Sequence, residues 1–403
     1  MFQAAIMGFG TVGSGVYEVL DRNAATVTKN AKQSIEVKYI LDLRDFPDAP
    51  YQEKFVKDFA VIENDPEVRI VVETMGGKGA AYEFTKRCLL AGKHVVTSNK
   101  ELVACHGAEL LRIAAEHNVN YLFEASVGGG IPIIRPMLQC LTANRMLHIT
   151  GILNGTTNYI LTRMIHAGLT FDAALKEAQQ KGYAEANPAA DVDGVDACRK
   201  ICILSDIAYG DNIFPEEVET EGISKITLAD VGYAAQADCV VKLLGRAVLQ
   251  EDGTLYAFVA PHFVSKICPL ASVDDVFNAI LVSGDMLGDA MFYGQGAGKL
   301  ATASAVVADV IDCVRHDKHR RQFDWGDGSK KLLRPLNSFA SRWYVRLTGD
   351  DAAARLLAAF PDCTQLSAQA EGEAACLTAE LTTAQMNEKR AALGSVAGCM
   401  RLL

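Results

Sequence analysis

Short aliphatic and β-branched runs recur through the first third of the chain. They alternate with stretches whose apolar positions return every three or four residues. FQAAIMG, IEVKYIL, VRIVVE, KHVVT and VNYLFE are the runs. Val12, Val16, Val19 and Leu20 follow the first at helical spacing, and AAYEFTKRCLLAG and GAELLRIAAEHN keep that period. Strand-helix alternation of this kind predicts an α/β architecture, a parallel sheet covered on both faces. Further on the pattern becomes mixed. MLHITGILN and FNAILVSG read as strands, and GRAVLQEDGTLYAFV as a hairpin turning at Asp252-Gly253. FDAALKEAQQ and ACRKICILSDIAY read as helices. Strands and helices without strict alternation predict an α+β second domain. Near the end, SRWYVRLTGDDAAARLLAAF reads strand, turn, helix, and AACLTAELTTAQMNEKRAALGSV reads strand then helix. The domains expected are 1–135, with a helix over 300–320 returning to it, 136–300, and a small α+β unit over 338–403.

Composition narrows the functions available. Half of the 403 residues are hydrophobic, enough for well-packed cores. A net charge of -10 argues against nucleic acid as a partner. No apolar run reaches the roughly 18 residues needed to cross a membrane. The start, MFQAAIMGFG, has no basic segment followed by a secretory core. Eleven cysteines without C-x-x-C spacing suit neither a disulfide framework nor zinc, so a reducing cytoplasm is expected.

The first strand-helix turn carries GFGTVG, residues Gly8, Gly10, Thr11, Val12 and Gly13 among them. Glycines in a G-x-G-x-x-G turn let backbone N–H groups approach a pyrophosphate at the helix N-terminus. The bland reading is a turn that only packs helix on sheet. In this strand-helix context the spacing predicts a dinucleotide site. The second strand ends LDLRD. There Asp42 would accept from a free ribose hydroxyl and favour NAD, while Arg44 would pair with a 2′-phosphate and favour NADP. The guanidinium inclines the expectation to NADP, although FPDAP beyond it supplies no second cation.

The stretch KGYAEANPAADVDGVDACRK sets Glu185, Asp191, Asp193 and Asp196 before Arg199 and Lys200. Asp193 is expected to cap a helix running to about Tyr209, which places Asp196 and Lys200 one turn apart on a shared face. Such a pair is ordinarily a surface ion pair worth a few tenths of a kcal/mol. A calcium loop fits worse: Asp191 and Asp193 match its first and third positions, but Asp196 falls where the obligatory glycine belongs. The sharper alternative is a substrate site, in which carboxylates hold an ammonium group and a lysine moves a proton to or from an oxygen.

Seven ordered blocks resemble the homoserine dehydrogenase family. They are GFGTVGSGV, ETMGG, GKHVVTSNKELVACHG, FEASVGGGIPII, GILNGTTNYIL, KGYAEANPAADVDGVDACRK and YGQGAGKLATASAVVADVID. The resemblance implies a Rossmann-type domain joined to a catalytic and dimerisation domain. It also implies reversible NAD(P)-dependent interconversion of L-homoserine and L-aspartate 4-semialdehyde, on the way to threonine and methionine. Lys200 would give the proton to the aldehyde oxygen, Lys100 would share in polarising it, and Glu185 and Asp196 would bind the substrate. Thr74, Lys100, Gly182 and Gly298 would join the glycine turn and Arg44 around the cofactor. The Glu124 carboxylate and the carbonyls of Val127, Gly129 and Ile131 would hold a monovalent cation, Na+ or K+; the alternative there is a structural hinge. A homo-oligomer is implied as well.

Departures from the family pattern spare Lys100, Glu185, Asp196 and Lys200, but thin the acidic cluster by one charge. Gln295 and Ala301 stand for prolines, Ala186 and Asn187 for Pro-Asp, and Ser98 for alanine. The C-terminal unit is similar to an ACT module, with its D-x-P-G-V turn replaced by Gly349-Asp350-Asp351-Ala352-Ala353 and its Thr-His by Thr382-Thr383. An amino-acid effector and a merely stabilising tail both remain open for it. Two other functions compete. A cysteine-dependent semialdehyde dehydrogenase would need an activated thiol, for which Cys105 beside His106 is the nearest candidate. A non-catalytic NAD(P) sensor would have no reason to keep Lys100, Glu185, Asp196 and Lys200.

Overall fold

Six parallel strands, β1 (Phe2–Met7), β2 (Ile35–Leu41), β3 (Phe55–Val56), β4 (Val68–Glu73), β5 (His94–Thr97) and β6 (Tyr121–Leu122), pair in the order β3-β2-β1-β4-β5-β6. The computed structural model describes all residues from Met1 to Leu403. It divides into a unit of Met1–Arg145, Cys202–Pro215 and Gly294–Lys331, which holds this sheet, and a unit of Met146–Ile201, Glu216–Tyr293 and Leu332–Leu403. The central strands are apolar on both faces because helices cover both: Ala4, Ala5, Ile6 and Met7 are fully buried, as are Ile70, Val71 and Val72. The helices Thr11–Arg22, Gly79–Leu90 and Lys100–Glu116 follow β1, β4 and β5.

The helix Lys299–Arg315 returns to this unit, where Ala303, Val306, Val310 and Cys313 share a core with Ile6, Val16 and Leu20. Its approach is close. A Cβ on Gly15 would stand 2.8 Å from the Lys299 carbonyl oxygen, so the first helix can pack there only with a bare backbone. VNYLFE yields a strand of two residues, since a 3₁₀ turn begins at Glu124.

The second unit is built on a mixed sheet. Its strands are β7 (Met146–Ile152), β8 (Glu219–Thr220), β9 (Cys239–Leu249), β10 (Leu255–Ser265), β11 (Phe277–Gly284) and β12 (Gly288–Gln295). The order β12-β11-β7-β9-β10 is antiparallel through β11, β7, β9 and β10, while β8 pairs parallel to β10. The β9–β10 hairpin turns where the sequence predicts, but over residues 250–254 rather than two. Gly253 takes φ +83, and the Asp252 carboxylate accepts from the Thr254 N–H (3.0 Å) and hydroxyl (2.6 Å).

The C-terminal stretch adds β13 (Ala340–Ser341), β14 (Trp343–Thr348), β15 (Thr364–Leu366), β16 (Glu373–Leu377), β17 (Leu381–Thr382) and β18 (Gly398–Leu402), with helices Ala352–Ala359 and Thr383–Leu393 between strands. β13 pairs with β17, and the other four strands stand in the order β18-β14-β16-β15. They continue the large sheet, because β18 lies parallel to β10 with His262 opposite Arg401. Asp230 ties this junction. Buried in the capping box of helix Leu228–Gln236, it accepts from Tyr344 (2.9 Å) and from Arg346 Nε (3.0 Å).

One substitution tests the turn after β1. A Cβ on Gly13 would lie 2.0 Å from the Gly8 carbonyl oxygen and 2.8 Å from Thr74 Oγ1. Gly13→Ala should therefore cost about 1–3 kcal/mol in chemical denaturation. Gly79→Ala, with open space around it, should not lower the midpoint.

Candidate active site

β1 stops at Met7, and the turn that follows is fixed by its neighbours. The Gly8 N–H donates to the Leu41 carbonyl at the end of β2 (2.8 Å), while Thr74, just past β4, donates its hydroxyl to the Gly8 carbonyl (2.8 Å) and its N–H to that of Met7 (2.8 Å). Gly8 has φ +90, a conformation cheap only for glycine. Gly10 is the N-cap of the helix Thr11–Arg22, Thr11 is its exposed first residue, and Val12 turns towards the core. Gly298 caps the returning helix. The sheet order reverses between β1 and β4, so the glycine turn and Thr74 sit at the switch point, where open α/β sheets bind ligands.

Asp42 and Arg44 act as one unit. Asp42 Oδ2 accepts from the Phe9 N–H (2.7 Å) and Arg44 Nη2 (2.8 Å), and Oδ1 from the Arg44 N–H (2.9 Å) and Nε (3.0 Å). The carboxylate's four lone-pair positions are thus all engaged. The Arg44 guanidinium is the main cause that holds the Asp42 carboxyl down to about 2. That guanidinium stands beside the turn, 3.9 Å from where a Cβ on Gly10 would be, and is itself mostly exposed.

Lys100 opens the helix Lys100–Glu116. Asn99 caps it, accepting from the Leu102 N–H (3.1 Å) and donating to the Gly77 carbonyl (2.6 Å). Behind it, the Thr97 hydroxyl accepts from the Asn99 N–H (2.9 Å) and donates to Glu73 (2.6 Å). Glu73 has no exposure, and burial pushes its carboxyl up. A fully buried acid therefore sets the strand ends from which Thr74 and Lys100 project.

In the second unit the lysine of the acidic stretch is turned inward. Lys200 Nζ donates to the Leu153 carbonyl and to Asp196 Oδ2, each at 2.7 Å, and the two side chains are 9% and 7% exposed. Asn154 Nδ2 donates to the same Asp196 oxygen (2.9 Å) and to Asp191 Oδ1 (2.7 Å). Burial pushes the Asp191 carboxyl up. The helix begins at Val195, not at Asp193. The chain makes a short helix Ala189–Val192 whose C-cap is Asp193, and the Gly194 carbonyl takes the first bond of the longer helix. Asp193 is exposed, and so is Glu185, whose carbonyl accepts from Gln179 (3.1 Å). Of the four carboxylates, the fold gathers Asp191 and Asp196 around Lys200. Gly182 ends the helix Phe171–Gln180, its N–H bonded to the Gln179 carbonyl. Asn154 was not among the expected site residues; an asparagine between an apolar run and a helical period is the signal that points to it.

Glu124 is buried at the N-terminus of helix Ile134–Gln139. Its Oε1 accepts from the N–H groups of Ile133 (2.7 Å) and Ile134 (2.9 Å), and Oε2 from that of Arg135 (2.7 Å). Burial pushes its carboxyl up against those three donors. Gly128 and Gly129 have positive φ in the loop between. No three His, Cys, Asp or Glu side chains converge as a metal site. A cage of one carboxylate and main-chain carbonyls needs no such cluster. Cys105 and His106 are consecutive on one helix, with the His106 ring on Tyr82 at 4.3 Å, which is not a thiol-base arrangement.

A sheet in this order, with its glycine turn at the reversal, defines a dinucleotide-binding protein. Known proteins agree. The family model described as "Homoserine dehydrogenase, NAD binding domain" matches residues 8–124, and "Homoserine dehydrogenase" matches residues 132–311. A homoserine dehydrogenase of Synechocystis sp. is 46% identical over 77% of this chain and 72% of its own. The crystal structure of one from Thiobacillus denitrificans superposes with a TM-score of 0.90 at 36% identity, over 100% of this chain and 98% of that one. A hyperthermophilic archaeal homoserine dehydrogenase in complex with NADPH gives 0.68 at 28%, over 79% and 99%. The chain belongs to the homoserine dehydrogenase family, and its activity is the nicotinamide-dependent interconversion of L-homoserine and L-aspartate 4-semialdehyde.

Proposed function

We propose that Lys200 is the proton donor to the aldehyde oxygen in reduction and the acceptor of the hydroxyl proton in oxidation. The observation that carries this is the buried Lys200–Asp196 pair, which keeps an ammonium group fixed in a protein interior. Reduction of an aldehyde builds negative charge on oxygen, and a held ammonium both stabilises that charge and supplies the proton. Asp196 orients the lysine and favours its charged form. Glu185 and Asp196 bind the amino and hydroxyl ends of the substrate, with Asp191 close by to offset the ammonium. Lys100 assists in polarising the oxygen.

The nicotinamide, when bound, supplies or receives the hydride. Gly8, Gly10, Thr11, Val12, Gly13, Thr74, Lys100, Gly182 and Gly298 hold the dinucleotide. Arg44 selects NADP. With Asp42 fully engaged, the turn offers a phosphate a guanidinium and offers a ribose hydroxyl no spare acceptor there. Glu124 and the carbonyls of Val127, Gly129 and Ile131 suit a monovalent cation, Na+ or K+. Oε2 takes a single N–H bond and has room for a further partner, and a cation would offset the burial that pushes the carboxyl up. The enzyme is cytoplasmic and homo-oligomeric, it serves threonine and methionine biosynthesis, and its C-terminal ACT-like unit takes an amino-acid effector.

Three measurements check these points. Lys200→Ala should lose at least about a hundredfold in homoserine turnover, the usual scale of acid-base help. Retention of turnover refutes the donor role, and a larger loss in Lys100→Ala would transfer it. Arg44→Ala should raise KM for NADP about tenfold or more and leave KM for NAD nearly unchanged, since a charge-assisted bond is worth about 1.5–3 kcal/mol. Assays in sodium, potassium or choline chloride at equal ionic strength, with and without L-threonine, should show higher activity with an alkali cation and a response to the amino acid. Indifference to either removes that site from the proposal.

A further inference from the structure

We infer that Asn154 is a positioning residue for proton transfer, a neutral bridge that holds Asp191 and Asp196 in register with Lys200. The inference rests on the reading of Lys200 as proton donor. β7 ends at Ile152, and the next two residues both serve the lysine: Leu153 through its carbonyl and Asn154 through Asp196. Asn154 is 6% exposed and caps the helix Gly155–Ala167, its Oδ1 accepting from the Thr157 N–H at 2.9 Å. With that oxygen committed to the cap, the amide has one orientation, and both of its hydrogens face the carboxylates. One goes to Asp191 Oδ1 at 2.7 Å and the other to Asp196 Oδ2 at 2.9 Å.

Asparagine alone among the good capping residues can do both jobs. Aspartate and serine also accept from the helix N–H. Aspartate, however, brings a third negative charge instead of two donors, and serine has one hydroxyl hydrogen to share. The amide thus lets two like charges stand together without adding charge of its own. It also loads the Asp196 oxygen that Lys200 uses, so the pull of that carboxylate on the ammonium is shared. Asp196 on its own helix and Asp191 on the short helix Ala189–Val192 before it both act on Lys200.

Asn154→Asp and Asn154→Ser keep the cap, so thermal unfolding should remain cooperative for both. In homoserine oxidation Lys200 must first lose its extra proton. An added carboxylate favours the ammonium form, so Asn154→Asp should move the rising limb of kcat/KM to higher pH by about one unit or more. Asn154→Ser should lower kcat by about tenfold or more while KM for the nucleotide stays within about twofold, the signature of lost positioning. In a Lys200→Ala background, Asn154→Asp should displace no limb, because the group it acts through is gone. Folded variants with an unmoved limb and wild-type kcat would overturn the assignment to Asn154, provided that Lys200→Ala is inactive. An active Lys200→Ala would instead overturn the donor reading beneath it.

Discussion

An ammonium group cannot be buried without an anion and acceptors to replace its water, and the Lys200 site is organised by that requirement. Leaving one member of a buried ion pair alone costs about 3–5 kcal/mol, so Asp196 has to be where it is if Lys200 is to be inside. The i,i+4 spacing delivers it at 2.7 Å from the same helix face. A further acceptor comes from the main chain just past β7. A strand end, a helix N-terminus and the first turns of a second helix therefore meet at one charge, and none can shift without exposing it.

The same logic recurs in the first unit with the sign reversed. Glu73 is buried at the end of β4 and satisfied by the Thr97 hydroxyl and the Met75 N–H; Glu124 is buried past β6 and satisfied by three N–H groups of an incoming helix. Both carboxyls are pushed up by burial, so both are held there against a cost. Such costs are tolerated where side chains must be aimed, and each of these acids fixes a loop that carries candidate site residues: Thr74 and Lys100 for Glu73, Val127 to Ile131 for Glu124.

Much of this was legible beforehand because it depends on local spacing. β2, β4, β11 and the helix Phe171–Gln180 coincide with their apolar runs, since period and flanking turn residues decide them. The errors fall where a few residues compete. Asp193 has the chemistry of a cap, yet Gly194, with φ +84, breaks the chain one residue later, and the helix takes its first bond at the Gly194 carbonyl. VNYLFE looks like a full strand, but Glu124 within it is claimed by N–H groups nine to eleven residues further on.

The amino-acid sequence by itself determined the parallel nucleotide sheet, the glycine turn and the pairing of Asp196 with Lys200, because each is a matter of periodicity or of a few adjacent residues. Tertiary structure decided that Asp191 rather than Glu185 joins that pair, that Asn154 bridges the two aspartates, and that Asp42 is spent on Arg44. Those outcomes depend on which side chains are brought together out of water from distant positions, and desolvation, which makes a partner obligatory, acts only once the chain has folded.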